Sequence, residues 1–290
     1  MSTGPTGSAA TIGWVTRTLS ARELSTETNA SPELIERDRD LKRGEGDTVL
    51  QIRRDAEIHA EEGGWFSARW HFSFDRYRDP EQMGIGPLRV FNDDRLVAGA
   101  DWPMHPHADV EGLTYVVEGT FEHADSLGQD GTLQPGGVQR MTLGSGALHS
   151  ERNGSKTEPM RFLQFWILPD TPSLPPSVEQ RQFTREDRHG RLLKVIGPEG
   201  GDVVAVHQDA SAYVAALEPS SEVEYAFGQD RAGYLYLIGG AARLNEDRLD
   251  TGDAVKVFGP EQIRIAAEEV VELILVDVPT RYIPVGVWAG

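Results

Sequence analysis

Two short segments carry residue types able to bind and use a metal ion. In His105-Pro106-His107 the histidines are two residues apart, and on a strand residues i and i+2 point to one face. His149 and Glu151 repeat that spacing in Leu148-His149-Ser150-Glu151. Facing each other inside a barrel, the two pairs would form a site of three imidazoles and one carboxylate. Such a donor set suits a divalent first-row ion. Four protein ligands leave one or two positions of a five- or six-coordinate ion open for substrate or O2. A lone His-x-His is more often surface or core than ligand, but four of the eight histidines fall within residues 99–151. Glu111 follows His107 by four residues and shares its face if the strand continues. It is a candidate fifth ligand, or a base that takes a substrate proton; the competing reading is a salt-bridged carboxylate at a strand end. His123 is a candidate lining residue, against a surface histidine beside Glu122.

Composition narrows the remaining chemistry. The 290 residues include no cysteine, so disulfides, thiolate metal sites and cysteine nucleophiles are excluded. Any metal must be held by histidine and carboxylate. With 28 Lys+Arg against 46 Asp+Glu the net charge is −18, which disfavours a phosphate-binding nucleic-acid surface and an anionic membrane surface. The longest apolar runs fall far short of the ~20 residues of a membrane helix. The N-terminus shows no charged region followed by an apolar one. These features lead to the expectation of a cytoplasmic protein. No phosphate loop, nucleophile elbow or strand–Gly-x-Gly-x-x-Gly–helix context is present.

The elements that must position these residues read as strands. Segments 49–52, 68–72, 88–91, 113–117 and 160–166 are rich in β-branched or aromatic residues, and turn residues bound most of them. Glu118-Gly119, Asn92-Asp93-Asp94 and Gln129-Asp130-Gly131 read as turns. A Pro-rich break at Pro169, Pro172, Pro175 and Pro176 precedes a second run of strands. Many short strands with few helices point to an all-β barrel or sandwich. The halves rhyme: Val116-Val117-Glu118-Gly119 with Leu133–Val138 resembles Leu237-Ile238-Gly239-Gly240 with Leu249–Ala254. A weak internal duplication of one β-barrel unit follows. The expected organisation is an extension over 1–47, with a short helix at 31–43, a first barrel over 48–170, a linker over 171–190 and a second barrel over 191–290.

The segment from His105-Pro106-His107 through Glu111, Thr114-Tyr115-Val116, Glu118-Gly119, Glu122-His123 and Asp125-Ser126-Leu127-Gly128 resembles the pirin family of bicupins. So do residues 137–142 and 144–151. Residues 72–74, 79–80, 83–90 and 92–94 are similar to the bacterial pirin-like proteins with quercetinase activity. His207-Gln208-Asp209-Ala210 and Gly252-Asp253 extend the likeness into the second half, so that it covers about residues 48–278. The resemblance implies two tandem cupin (jelly-roll-like) barrels. It implies metal ligation by His105, His107, His149 and Glu151 in the first. No metal site is expected in the second, because His207 has no histidine at i+2 and no His-x-Glu partner downstream.

By the same resemblance the activity is a quercetin 2,3-dioxygenase-like one. A flavonol or related enediol-bearing aromatic is cleaved with O2 and loses carbon monoxide. The implied cofactor is one divalent ion per chain, with Fe(II) expected and Mn, Co, Ni, Cu or Zn as alternatives. The implied partners are a small aromatic substrate and O2. Two other classes stay open: a non-oxidative metalloenzyme such as a cyclase or isomerase, and an iron-dependent regulatory binding protein. Two positions depart from the family pattern, Ala108 where a basic residue is usual and Gly112 where a bulkier one is usual. Both would enlarge the pocket or change the charge at its mouth.

Overall fold

The computed structural model describes residues 49–289; the extension over 1–47 and its helix at 31–43 lie outside them. Two β-barrels account for the described residues. In the first, seven strands pair in the order β12 (Ser177–Gln182), β9 (Gly137–Thr142), β6 (Glu111–Glu118), β11 (Met160–Ile167), β4 (Leu88–Leu96), β3 (Phe66–Trp70) and β2 (His59–Glu62). Facing them are four strands in the order β5 (Asp101–His107), β10 (Ala147–Asn153), β7 (Phe121–Asp125) and β8 (Asp130–Leu133).

The second barrel repeats this plan. Its larger sheet runs β1 (Val49–Arg53), β20 (Ala254–Phe258), β17 (Arg231–Gly239), β22 (Val271–Pro279), β15 (Ser211–Leu217), β13 (Leu193–Gly197) and β14 (Val204–Ala205). Its smaller sheet runs β16 (Glu222–Phe227), β21 (Glu261–Ala267), β18 (Ala241–Leu244) and β19 (Asp247–Asp250). The pairing order agrees with the duplication seen in the sequence except at the far edge of the larger sheet, where β14 follows β13 and pairs with it in parallel whereas β2 precedes β3 and pairs with it antiparallel. The rhyming turns agree in detail. Gly119 has φ 80° and Gly240 φ 89°, and a Cβ at either would strike the carbonyl of the strand entering beside it, Pro159 O or Val270 O. Only glycine tolerates both the left-handed backbone and that approach.

Two strands cross between the halves. β1, first along the described chain, pairs with β20 and so completes the second barrel. β12, inside the Pro-rich connector, pairs with β9 and completes the first. The exchange ties the barrels together at both edges.

Alternation along the strands sorts the side chains into layers. On β6, Leu113 and Tyr115 point out of the first barrel. They join Phe91, Leu163, Phe165 and Ile167 in a fully buried core shared with Val214, Tyr234, Ile274 and Val276 of the second barrel. The largest apolar core is therefore the joint between barrels. A polar cluster sits within that joint: Arg161 on β11 forms a two-pronged ion pair with Asp93, closest at 2.6 Å, and the Tyr236 hydroxyl donates to Asp93 across the interface. The second barrel's interior is packed with aliphatic and aromatic side chains, including Val223, Phe227, Ile263 and Ile265 on the strands equivalent to β5 and β10.

The expected turn at Asn92–Asp94 is instead the middle of β4. All three residues are buried, and the Asp93 pairing outweighs the local turn preference. No helix among the described residues is long and apolar enough to cross a membrane.

Candidate metal centre

The first barrel's interior has two apolar ends and a polar middle. Phe121, Phe162, Met160 and Leu96 fill one end. Val90, Met141, Leu143 and Trp166 fill the other, and Tyr282 and Trp288 of the C-terminal segment pack onto them. Between lie the buried polar side chains of Asn92, Asp94, Thr114, His123, His149 and Glu151. Asn92, Asp94, His123 and His149 each keep a buried polar atom without a partner, which is costly and makes this layer the candidate site.

β5 and β10 run antiparallel with His149 opposite His105 and Ala147 opposite His107. Ala147, His149, Glu151 and Asn153 point inward while Leu148 and Arg152 face solvent. That alternation puts all three imidazoles on the inner face of the four-stranded sheet. A ligand nitrogen from each of His105, His107 and His149 lies within 4.8 Å of the other two. The ring centroids are 4.8 Å (105–107), 4.5 Å (105–149) and 5.2 Å (107–149) apart.

Each ring is prepared for ligation. His105 Nδ1 donates to the Pro103 carbonyl at 2.8 Å, which leaves the lone pair on Nε2 and fixes the ring orientation. Neither ring nitrogen of His149 makes a hydrogen bond, although the ring is buried. Burial lowers the proton affinity of His107 well below that of a free imidazole, and the neighbouring His149 and His105 lower it further. Burial also lowers His149, against the opposing pull of Glu151. Neutral imidazole is the form that binds a metal.

Glu151 stands beside His149, with Oε1 3.3 Å from Nδ1. The register slips between these two residues, so that Glu151 pairs with Trp102 on β5. Gln164 Nε2 on β11 donates to its Oε1 at 2.7 Å. His123, the candidate lining residue, is opposite Glu151 on β7 and buried, with both ring nitrogens unpartnered. Burial lowers its proton affinity too. A buried imidazole in the polar layer replaces the surface reading.

Glu111 is placed differently. β5 ends at His107, Asp109 turns with φ 53°, and β6 starts at Glu111 in the opposite sheet. The premise of one continuous strand face from His107 to Glu111 does not hold. Glu111 shares the outward face of β6 with Leu113 and Tyr115. It accepts hydrogen bonds from Thr142 Oγ1 (2.7 Å) and the His207 amide (2.7 Å), and its Oε1 is 2.8 Å from His207 Nδ1. Glu111→Gln is expected to remove charge-assisted bonds at the joint and cost about 1.5–3 kcal/mol, with metal content unchanged. Thermal unfolding beside elemental analysis checks this. A base acting on substrate would instead show a loss of roughly 100-fold or more in kcat at unchanged stability.

Three interior residues escaped the sequence reading. Asn92 and Asp94 have turn composition, yet each lies in a strand with a buried Oδ1 without a partner. Burial pushes the Asp94 carboxyl well up, and Asp93 and Glu151 push it further. Gln164 was detectable as the polar residue in the otherwise apolar inner row Phe162, Gln164, Trp166. The Trp166 ring lies 4.6 Å from that of His107.

With this geometry in hand, comparison with known proteins is specific. Residues 52–167 match the Pirin family model, and residues 195–278 match the model of the quercetinase C-terminal cupin domain. A protein named quercetin 2,3-dioxygenase from Escherichia coli K12 is 36% identical over 233 residues, 80% of this chain and 99% of that one. A putative quercetin 2,3-dioxygenase from Zymomonas mobilis is 38% identical over 215 residues, 73% of this chain and 91% of that one. The crystal structure of the bacterial pirin YhhW from E. coli in complex with nickel(II) superposes with a TM-score of 0.76 at 35% identity, over 80% of this chain and 100% of that one. Two tandem cupin barrels, matching family models along both, and these relatives lead to one conclusion: the chain belongs to the pirin family.

Proposed function

We propose that this chain is a metal-dependent dioxygenase that cleaves a flavonol or related enediol-bearing aromatic with O2 in the cytoplasm. The observation that carries the reading is the convergence of three imidazoles, one with both nitrogens buried and unpartnered, beside the carboxylate of Glu151. His105, His107 and His149 would hold one divalent ion through imidazole nitrogen, and Glu151 through a carboxylate oxygen. The donor set fits Fe(II), the ion we assign, and accepts Ni(II) and the other first-row ions. When bound, the ion acidifies a coordinated hydroxyl and holds substrate and O2 side by side.

The remaining work falls to the chain's own residues. The Pro103 carbonyl holds the His105 ring in one orientation. Gln164 donates to Glu151 Oε1 and so orients the carboxylate, and we assign Glu151 the further role of taking the proton of the substrate's 3-hydroxyl. Trp166, Met141 and Leu143 supply an apolar wall that excludes water and suits a flat ring. The relatives named quercetin 2,3-dioxygenase support the substrate class.

Quercetin oxidation by the iron-loaded protein tests the reading. O2 uptake and carbon monoxide release equimolar with quercetin consumed are expected. Equal turnover under strict anaerobiosis, or none in fully metallated protein, would overturn it and favour a non-oxidative reaction.

A further inference from the structure

His105 is oriented by the Pro103 carbonyl, and His149 stands against Glu151. Among the described residues no hydrogen bond orients His107. Its ring is set by other rings: those of His105 and His149, and the Trp166 indole, 4.6 Å away between centroids and edge-on. Of these, only Trp166 is not itself a candidate ligand. Trp166 belongs to the apolar cluster at its end of the barrel, and the segment after β22 packs against that cluster through Tyr282 and Trp288. The segment starts on the second barrel, where the Thr280 amide donates to the Asp230 carbonyl at 2.8 Å. It returns to the first barrel and ends in a 3-10 turn, Gly286–Trp288. Arg89 on β4 fastens both aromatic residues. Its guanidinium lies 5.8 Å from the centre of the Trp288 ring, and Nη1 donates to the Tyr282 hydroxyl at 3.3 Å. Gly286 sits against the turn that follows His107: its φ is 55°, and a Cβ there would strike the Asp109 carboxylate. The Trp288 indole nitrogen is buried without a hydrogen-bond partner. An unpaired buried donor costs free energy, so what this side chain supplies to its neighbours is the bulk of its ring.

We infer that Trp288 is a positioning residue for the metal centre: it braces the cluster around Trp166, and so holds the indole against His107 and fixes that imidazole for ligation. Close-packed side chains leave few voids to absorb a displacement, so pressure at one side of the cluster is felt at the other. The second barrel thereby acts on the ligands of the first through the segment that leaves its last strand.

The inference rests on the metal centre proposed above, and cobalt(II) binding keeps the two separable. Cobalt is titrated anaerobically into metal-free protein, with affinity read against a competing chelator and ligand geometry from the visible d–d bands. Trp288→Ala is expected to weaken cobalt binding about tenfold, the lower end of the effect of groups that orient a ligand, and to shift the bands. Trp288→Phe keeps a ring and drops the unpartnered N–H, so it should restore both readouts. Trp166→Ala should weaken binding at least as much as Trp288→Ala. The Trp166→Ala/Trp288→Ala double variant should then bind no more weakly than Trp166→Ala, since a brace acting through Trp166 has nothing left to hold. Ile283→Ala, on the same segment but 80% exposed, should change neither readout. Gly286→Ala displaces the segment without removing a ring and should weaken binding in the same direction, which keeps the test intact if Trp288→Ala folds poorly. Wild-type affinity and bands in folded Trp288→Ala, or in Gly286→Ala where Trp288→Ala does not fold, would overturn the bracing role. So would losses that add in the double variant. Failure of the wild-type protein to bind cobalt would overturn the metal centre and this inference with it.

Discussion

His149→Ala is expected to reduce bound metal from about one ion per chain to background, with loss of more than about 100-fold in affinity. Outer residues that merely orient a ligand already cost 10–100-fold on average, and His149 is the central member of the triad. It lies opposite His105 in register and within ring contact of both other imidazoles. Stability provides a second readout. An ion that binds only the folded state stabilises it by about 2.7 kcal/mol at a hundredfold excess over Kd. The wild-type protein should gain Tm on metal addition and the variant should not. Without metal the variant should lose some stability through the cavity left by a buried ring, so the metal-dependent gain in Tm, not the absolute Tm, is the readout. Leu148→Ala, one residue away on the solvent face, should retain the ion. Full metal content in His149→Ala would dissolve the proposed centre.

Arg161→Ala is expected to cost about 3–5 kcal/mol, the penalty for stranding a buried charge. Asp93 is 5% exposed at its side chain and Arg161 11%, so solvent does little to screen the pair. Arg161 also donates to the Ile238 carbonyl at 3.1 Å on the second barrel. Burial alone would raise the Asp93 carboxyl; the Arg161 guanidinium and the Tyr236 hydroxyl more than reverse it, so the folded value lies below the usual one. The sign for stability follows. The pair's contribution is complete above the unfolded Asp value of about 4 and disappears as pH falls through the lower folded value. Urea unfolding of wild type and variant should therefore differ most near neutrality and converge in acid. An Arg161→Met/Asp93→Leu double variant should recover much of the loss, since apolar replacement of a whole buried pair is often tolerated. A difference under 1 kcal/mol for Arg161→Ala at pH 7 would show the joint is held by its apolar core alone.

The ligand candidates were legible because their spacing is local. Residues two apart on a strand share a face whatever the rest of the chain does, so His105 with His107 and His149 with Glu151 needed only the strands to form. The duplication was legible for a similar reason: Gly119 and Gly240 repeat a turn that no other residue can make there. Residues whose placement depends on distant partners were misread. Asn92-Asp93-Asp94 has turn composition, yet Arg161 and Tyr236, 68 and 143 residues away, hold Asp93 within a strand. Glu111 seemed to follow His107 on one face, but the chain changes sheets between them.

The sequence by itself determined the all-β class, the repeated unit and the candidate metal-binding side chains, because periodicity and turn chemistry act over a few residues. Only the tertiary structure decided which sheet each strand joins, that β1 and β12 are exchanged between barrels, and that Glu111 faces the joint. Those outcomes depend on which apolar faces bury each other and which buried charges find partners, and such pairings are settled between segments far apart in the chain.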